Sequence, residues 1–127
     1  MTKEEKDLIF QEICERLPYR PLVKDIYYNL RPVPVWLVDS SKQEVRLFAD
    51  EDWTSIENVR LYLRPMNSMT RDEWEDYREI EESASNILGR YKQLDKYDWL
   101  RRKHFDFRNL IEKGLALEAS TEIYEDY

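Results

Sequence analysis

The sequence predicts an α+β fold: an N-terminal helix, a small bent antiparallel sheet or partial barrel, two further helices and a short C-terminal turn. Two observations carry that expectation. Apolar residues recur at helical spacing near both ends of the chain, but between residues 22 and 63 they gather into short β-branched and aromatic runs. Two T-x-x-E capping boxes, Thr2 to Glu5 and Thr70 to Glu73, mark where helical spacing begins each time. A chain of 127 residues suffices for one domain, 1–127, with a core of its own.

Beyond the first capping box, Ile9, Phe10, Ile13, Cys14 and Leu17 form one stripe, with Gln11, Glu12 and Glu15 opposite. Pro18 disfavours the α conformation at Leu17, so the helix spans about 3–16. Prolines at 21, 32 and 34 exclude a helix across the next stretch. Lys24–Leu30, Val33–Val38, Val45–Phe48 and Leu61–Leu63 read as strands, and the polar run Asp39–Glu44 as the turn of a hairpin.

After the second capping box, Trp74, Tyr77, Ile80, Ala84 and Ile87-Leu88 give a helix over 71–88, closed by Gly89. A third helix, 94–103, turns Leu94, Tyr97 and Leu100 inward. Asp106 is placed to cap one further turn, Phe107–Lys113, which Gly114 ends. Leu115–Leu117 adds an edge strand, and the acidic residues 118–127 fray.

Two segments, YLRPMNSMT at 62–70 and DWLRRKHFDFRNLIEKGLALEA at 98–119, carry a resemblance. So does Leu17-Pro18-Tyr19-Arg20, which stands where an LPYG-like element is usual. In order and spacing the chain resembles an uncharacterised family of small proteins from Bacteroides-type gut bacteria and their phages and prophages. Asn67, Asn109 and Arg20 depart from its usual Ser, Gly and Gly. The resemblance implies a mobile-element setting and no particular chemistry.

Composition excludes several function classes. Two distant glycines, Gly89 and Gly114, cannot build a phosphate loop, a dinucleotide fingerprint or a nucleophile elbow. One Cys and one His cannot build a conventional zinc site, so the expectation is no metal and no cofactor. Cys14, on the apolar stripe, is expected buried and slow to react rather than catalytic with His104. The charged N-terminus and the lack of a long apolar run imply no membrane association and a cytoplasmic location.

Seven acids fall between 71 and 82, which reads as a solvated helix face. The stretch 90–113 has eight basic residues against four acidic ones, with aromatics interleaved. That pattern permits a nucleic-acid-associated module, but the net charge of −7 disfavours it. The bases are better read as partners of the acidic helix at 71–82.

What remains is a non-enzymatic interaction protein, an accessory factor of a phage or mobile element whose partner is another macromolecule, most simply a protein. The alternative is a small enzyme using carboxylate, Tyr and Arg side chains without a recognisable motif. Candidate binding residues are Arg64, His104 and Arg108. If 103–108 is extended, His104, Asp106 and Arg108 share one face and Phe105 and Phe107 the other. Asp106 is assigned a structural part, capping the following turn or fixing an arginine.

Overall fold

Both capping boxes form. In the computed structural model, which describes residues 1–26, 31–48, 52–84 and 89–124, Glu5 N–H donates to Thr2 Oγ1 at 3.1 Å. Thr2 N–H donates back to Glu5 Oε1 at 2.9 Å, opening α1, Lys3–Arg16. Ile9, Phe10 and Ile13 bury the expected face, while Cys14 is half-buried. Glu12, expected on the solvent side, is instead buried beside Arg16. Leu17–Tyr19 then make a 3-10 turn, ended by Arg20 in the left-handed conformation with φ 53°.

Five strands follow: β1, Leu22–Asp25; β2, Val33–Asp39; β3, Glu44–Leu47; β4, Trp53–Ser55; and β5, Val59–Pro65. All pairings among them are antiparallel, in the order β4-β3-β2-β1-β5. The predicted hairpin joins β2 to β3, where the Asp39 carboxylate accepts from Ser41 N–H and Ser41 Oγ, and Gln43 takes φ 50°. A bulge between Val35 and Leu37 shifts the register there. The first predicted strand, Lys24–Leu30, is found as Leu22–Asp25, and residues 27–30 lie outside the described residues.

The strands of 22–63 are antiparallel as expected. The whole sheet is not closed into a barrel and is mixed, because the C-terminal segment adds strands in parallel, a pairing the sequence did not predict. After α2, Arg71–Ala84, and α3, Gly89–Arg102, the chain returns as β6, Phe105–Asp106, and β7, Ala116–Glu118. Both pair with β5 in parallel. Parallel strands need a long crossover, and the two helices supply it between β5 and β6. Gly89 opens α3 rather than closing α2, so the third helix begins earlier than expected. The rest of the predicted second helix, 85–88, lies outside the described residues.

Two cores result. α1 and the sheet enclose Ile9, Ile13, Val23, Val45, Leu61, Leu63 and Leu110. Tyr77, Trp99, Leu100 and Phe105 form the second, between the later helices and β6. Trp74 and Tyr97, expected inward, are exposed at 49% and 37%, because Trp99 fills the space between Tyr77 and Phe105. The predicted fraying of 118–127 is also corrected as far as residue 124. Ala119 N–H donates to Leu63 O at 2.8 Å, and a 3-10 turn at Thr121–Tyr124 brings the Tyr124 hydroxyl to Tyr62 O at 2.5 Å.

Candidate functional site

Arg64, on β5, and His104, just before β6, come together; Arg108 does not join them. A cleft of about 460 Å³ is lined by Arg64, Thr70, Glu73, Arg102, Lys103, His104 and Tyr124. Glu73, the capping-box acid, receives both terminal nitrogens of Arg64, at 2.8 and 2.6 Å. Such a bidentate pair fixes both side chains. The Arg64 guanidinium lies 4.3 Å from the Phe105 ring centroid, with its Nε buried and unpartnered.

His104 takes φ 67°, so the strand alternation expected over 103–108 fails at its second residue. Its ring stacks on Tyr124 with centroids 3.6 Å apart and an 8° tilt. Its Nδ1 is buried without a hydrogen-bond partner, which a neutral ring tolerates better than a charged one. Burial first, then the positive charges of Arg16 and Arg64, push the imidazole down to about 4. The hydrogen bonds from Arg64 hold Glu73 at about 2.

These two shifts act on stability in the same direction. In the unfolded chain an imidazole takes up a proton near pH 6.5, which the folded ring resists. Stability present above that pH is therefore lost as the pH falls from about 6.5 to about 4. Glu73 adds a lower limb, present above its ordinary 4.5 and lost as the pH falls towards about 2. Because the chain has one histidine, the upper limb is assignable. His104→Phe, which keeps a ring against Tyr124, should flatten the decline of the urea midpoint between pH 6.5 and 4. An unchanged slope would mean that His104 is not buried neutral.

Asp106 faces away from this cleft. Its carboxylate accepts Leu110 N–H at 2.8 Å and Ile111 N–H at 2.9 Å, holding the turn after β6. Arg108 reaches α1, where its guanidinium meets Glu12 Oε1 and lies 3.1 Å from Glu15 Oε2. Arg101 also pairs with Glu15, at 3.2 Å. Among the described residues the acids that hold these two arginines are therefore on α1, not on the 71–82 helix as the sequence suggested. Arg16, Arg101 and Arg108 all place guanidinium carbons 5.2–5.6 Å from the Phe107 centroid. The polar trio expected on one face is thus divided among a cleft, a turn and a helix contact.

A second surface was missed by the sequence reasoning. Leu17, Pro18, Arg20, Pro34, Val35, Trp36 and Phe48 line a groove of about 360 Å³. Trp36 and Phe48 stand on its wall with ring centroids 5.5 Å apart, and are 58% and 55% exposed. Leu37 and Trp53 are exposed nearby, opposite Arg46 on neighbouring strands. One signal pointed here. A strand with one wet face alternates apolar and polar residues, but Val33–Val38 has no polar residue at all.

Among the described residues, no group of three or more His, Cys, Asp or Glu side chains could hold a metal ion. No described helix is long and apolar enough to cross a membrane. No family model matches the chain, nor does any curated protein or solved structure.

Proposed function

We propose that this chain is a non-enzymatic interaction protein that binds another protein through the Trp36–Phe48 groove. The observation that carries the reading is the concentration of exposed aromatic area there. Trp36, Leu37, Phe48 and Trp53 are all solvent-facing within three consecutive strands and the residues beside them. Large exposed aromatics gathered on one rigid sheet are what an interface needs, because tryptophan and phenylalanine bury much area with few rotors to freeze. A cytoplasmic setting suits a chain whose one cysteine is unpaired. An accessory part in a phage or integrated element is what the sequence resemblance adds.

The enzyme alternative draws on the Arg64–His104 cleft, where polar groups converge. Its acid and its arginine are committed to each other, and burial keeps its imidazole neutral at physiological pH. The nucleic-acid alternative draws on 90–113. There Arg101 and Arg108 are tied to α1, and Lys96 lies over Tyr77 and Tyr97. Both alternatives are weaker than the groove on these grounds.

Trp36→Ser combined with Phe48→Ser tests the reading. Both side chains are exposed, so the double variant should keep its melting temperature within a few degrees. Immobilised wild-type protein should retain a partner from host lysate that the variant does not, and the purified partner should reproduce the difference. A partner held equally by both proteins would remove the groove from the interface.

A further inference from the structure

We infer that the Trp36–Phe48 groove takes a peptide segment in which an apolar side chain is followed closely by a carboxylate. This rests on the binding role proposed for the groove and specifies its ligand.

The walls select the apolar part. Leu17, Pro18, Pro34 and Val35 offer no charged group, and the tilted Trp36–Phe48 pair leaves ring area open to a third apolar surface. A volume of about 360 Å³ holds one large apolar side chain and the backbone beside it, and no extended helix face.

The rim selects the charge. Among the described residues, Arg20 is the one charged residue lining the groove, and its side chain is exposed. Among the described residues its side chain makes no hydrogen bond or ion pair, unlike those of Arg16, Arg64, Arg101 and Arg108, which are all held by carboxylates. Its backbone is also in the left-handed region, φ 53°, where its N–H closes the 3-10 turn on Leu17 O. Glycine or asparagine would hold that conformation with less strain. A strained position at the mouth of an apolar groove therefore carries an unpaired cation. The chain as a whole carries net charge −7, so generic acidic partners are repelled and Arg20 supplies the local complement. An acidic neighbour to the anchoring side chain meets both demands.

The test is a nuclear magnetic resonance titration that follows the Trp36 indole N–H, assigned by its loss in Trp36→Phe. The probes are capped hexapeptides with one central leucine followed by aspartate, asparagine or lysine, together with a proline-rich peptide. Wild-type protein should bind the aspartate peptide about ten-fold tighter than the lysine peptide, the span expected when one exposed attraction becomes a repulsion. Arg20→Glu should reverse that order. Arg20→Asn, which suits the left-handed backbone, should flatten it and show that the turn itself is intact.

Four results would overturn the inference. They are no saturable shift with any peptide, an order indifferent to both Arg20 variants, tighter binding of the proline-rich peptide, and self-association that accounts for the shifts. The interaction reading fails separately, by the partner-retention comparison of the Trp36→Ser and Phe48→Ser protein. Loss of the partner there, with no effect of Arg20, would keep the groove and discard the carboxylate.

Discussion

Replacing Arg16 by methionine should cost about 3–5 kcal/mol, a large share of the stability of a domain this size. Arg16 and Glu12 are each only 1% exposed. Arg16 Nε donates to Glu12 Oε2 at 2.9 Å, and its Nη2 donates to the Phe105 carbonyl at 2.8 Å. Methionine fills the space but leaves Glu12 with Arg108 alone and strands the carbonyl. The cost arises from a buried carboxylate that keeps one of its two arginines and a buried carbonyl that keeps none, so removing both Arg16 and Glu12 should be milder than removing Arg16 alone. Arg16→Met with Glu12→Leu should recover part of the loss in urea unfolding, since Arg108 keeps Glu15. The Nη1 of Arg16 is already buried without a partner, which adds to the case for an apolar replacement. A single-variant loss below about 1 kcal/mol would put the pair in water, in the range of surface ion pairs.

That pair shows where the sequence stopped being legible. Glu12 and Arg16 are four residues apart on a helix, a spacing shared by the exposed pairs Arg71–Glu75 and Arg78–Glu82. Nothing local separates the buried case from the exposed ones. What buries it is the arrival of Phe105 and Arg108, about ninety residues later in the chain. The starts of α1 and α2 were readable because a capping box is a contact between residues three apart. The β2–β3 hairpin was readable because its turn chemistry lies between neighbours, whereas β4 was not anticipated.

The parallel partners of β5 were not readable, since β6 is two residues long and its pairing is set by where two helices deliver it. The candidate site divides in the same way. Arg64 and His104, both candidate binding residues, line one cleft. Arg108 was placed on one face with His104 and Asp106 by assuming unbroken strand alternation, and a positive φ at His104 breaks it.

The second large effect is expected at Asp106. Asp106→Ala should lower stability by about 2–4 kcal/mol, on the order of 10 °C in melting temperature. The residue is 5% exposed, and its two oxygens each accept one backbone N–H, from Leu110 and Ile111. Alanine leaves both donors unmet in a place where water has little access. It also frees the turn that presents Leu110 and Leu115 to the core and aligns β7 along β5. Asparagine should rescue little, although it matches the shape, because its amide nitrogen would face one of those N–H donors. Glutamate should fail for a different reason, since one more methylene pushes the carboxylate past the turn. Arg108→Ala gives the contrast. It removes one of two arginines on Glu12 but leaves Arg16 in place, so its loss should fall between that of Asp106→Ala and that of a surface substitution. Measured side by side in urea, the order Asp106→Ala, then Asp106→Asn, then Arg108→Ala, from most to least destabilised, is the expected result. Asp106→Asn at wild-type stability would show that the carboxylate does not hold the two amides, and the turn after β6 would need another anchor.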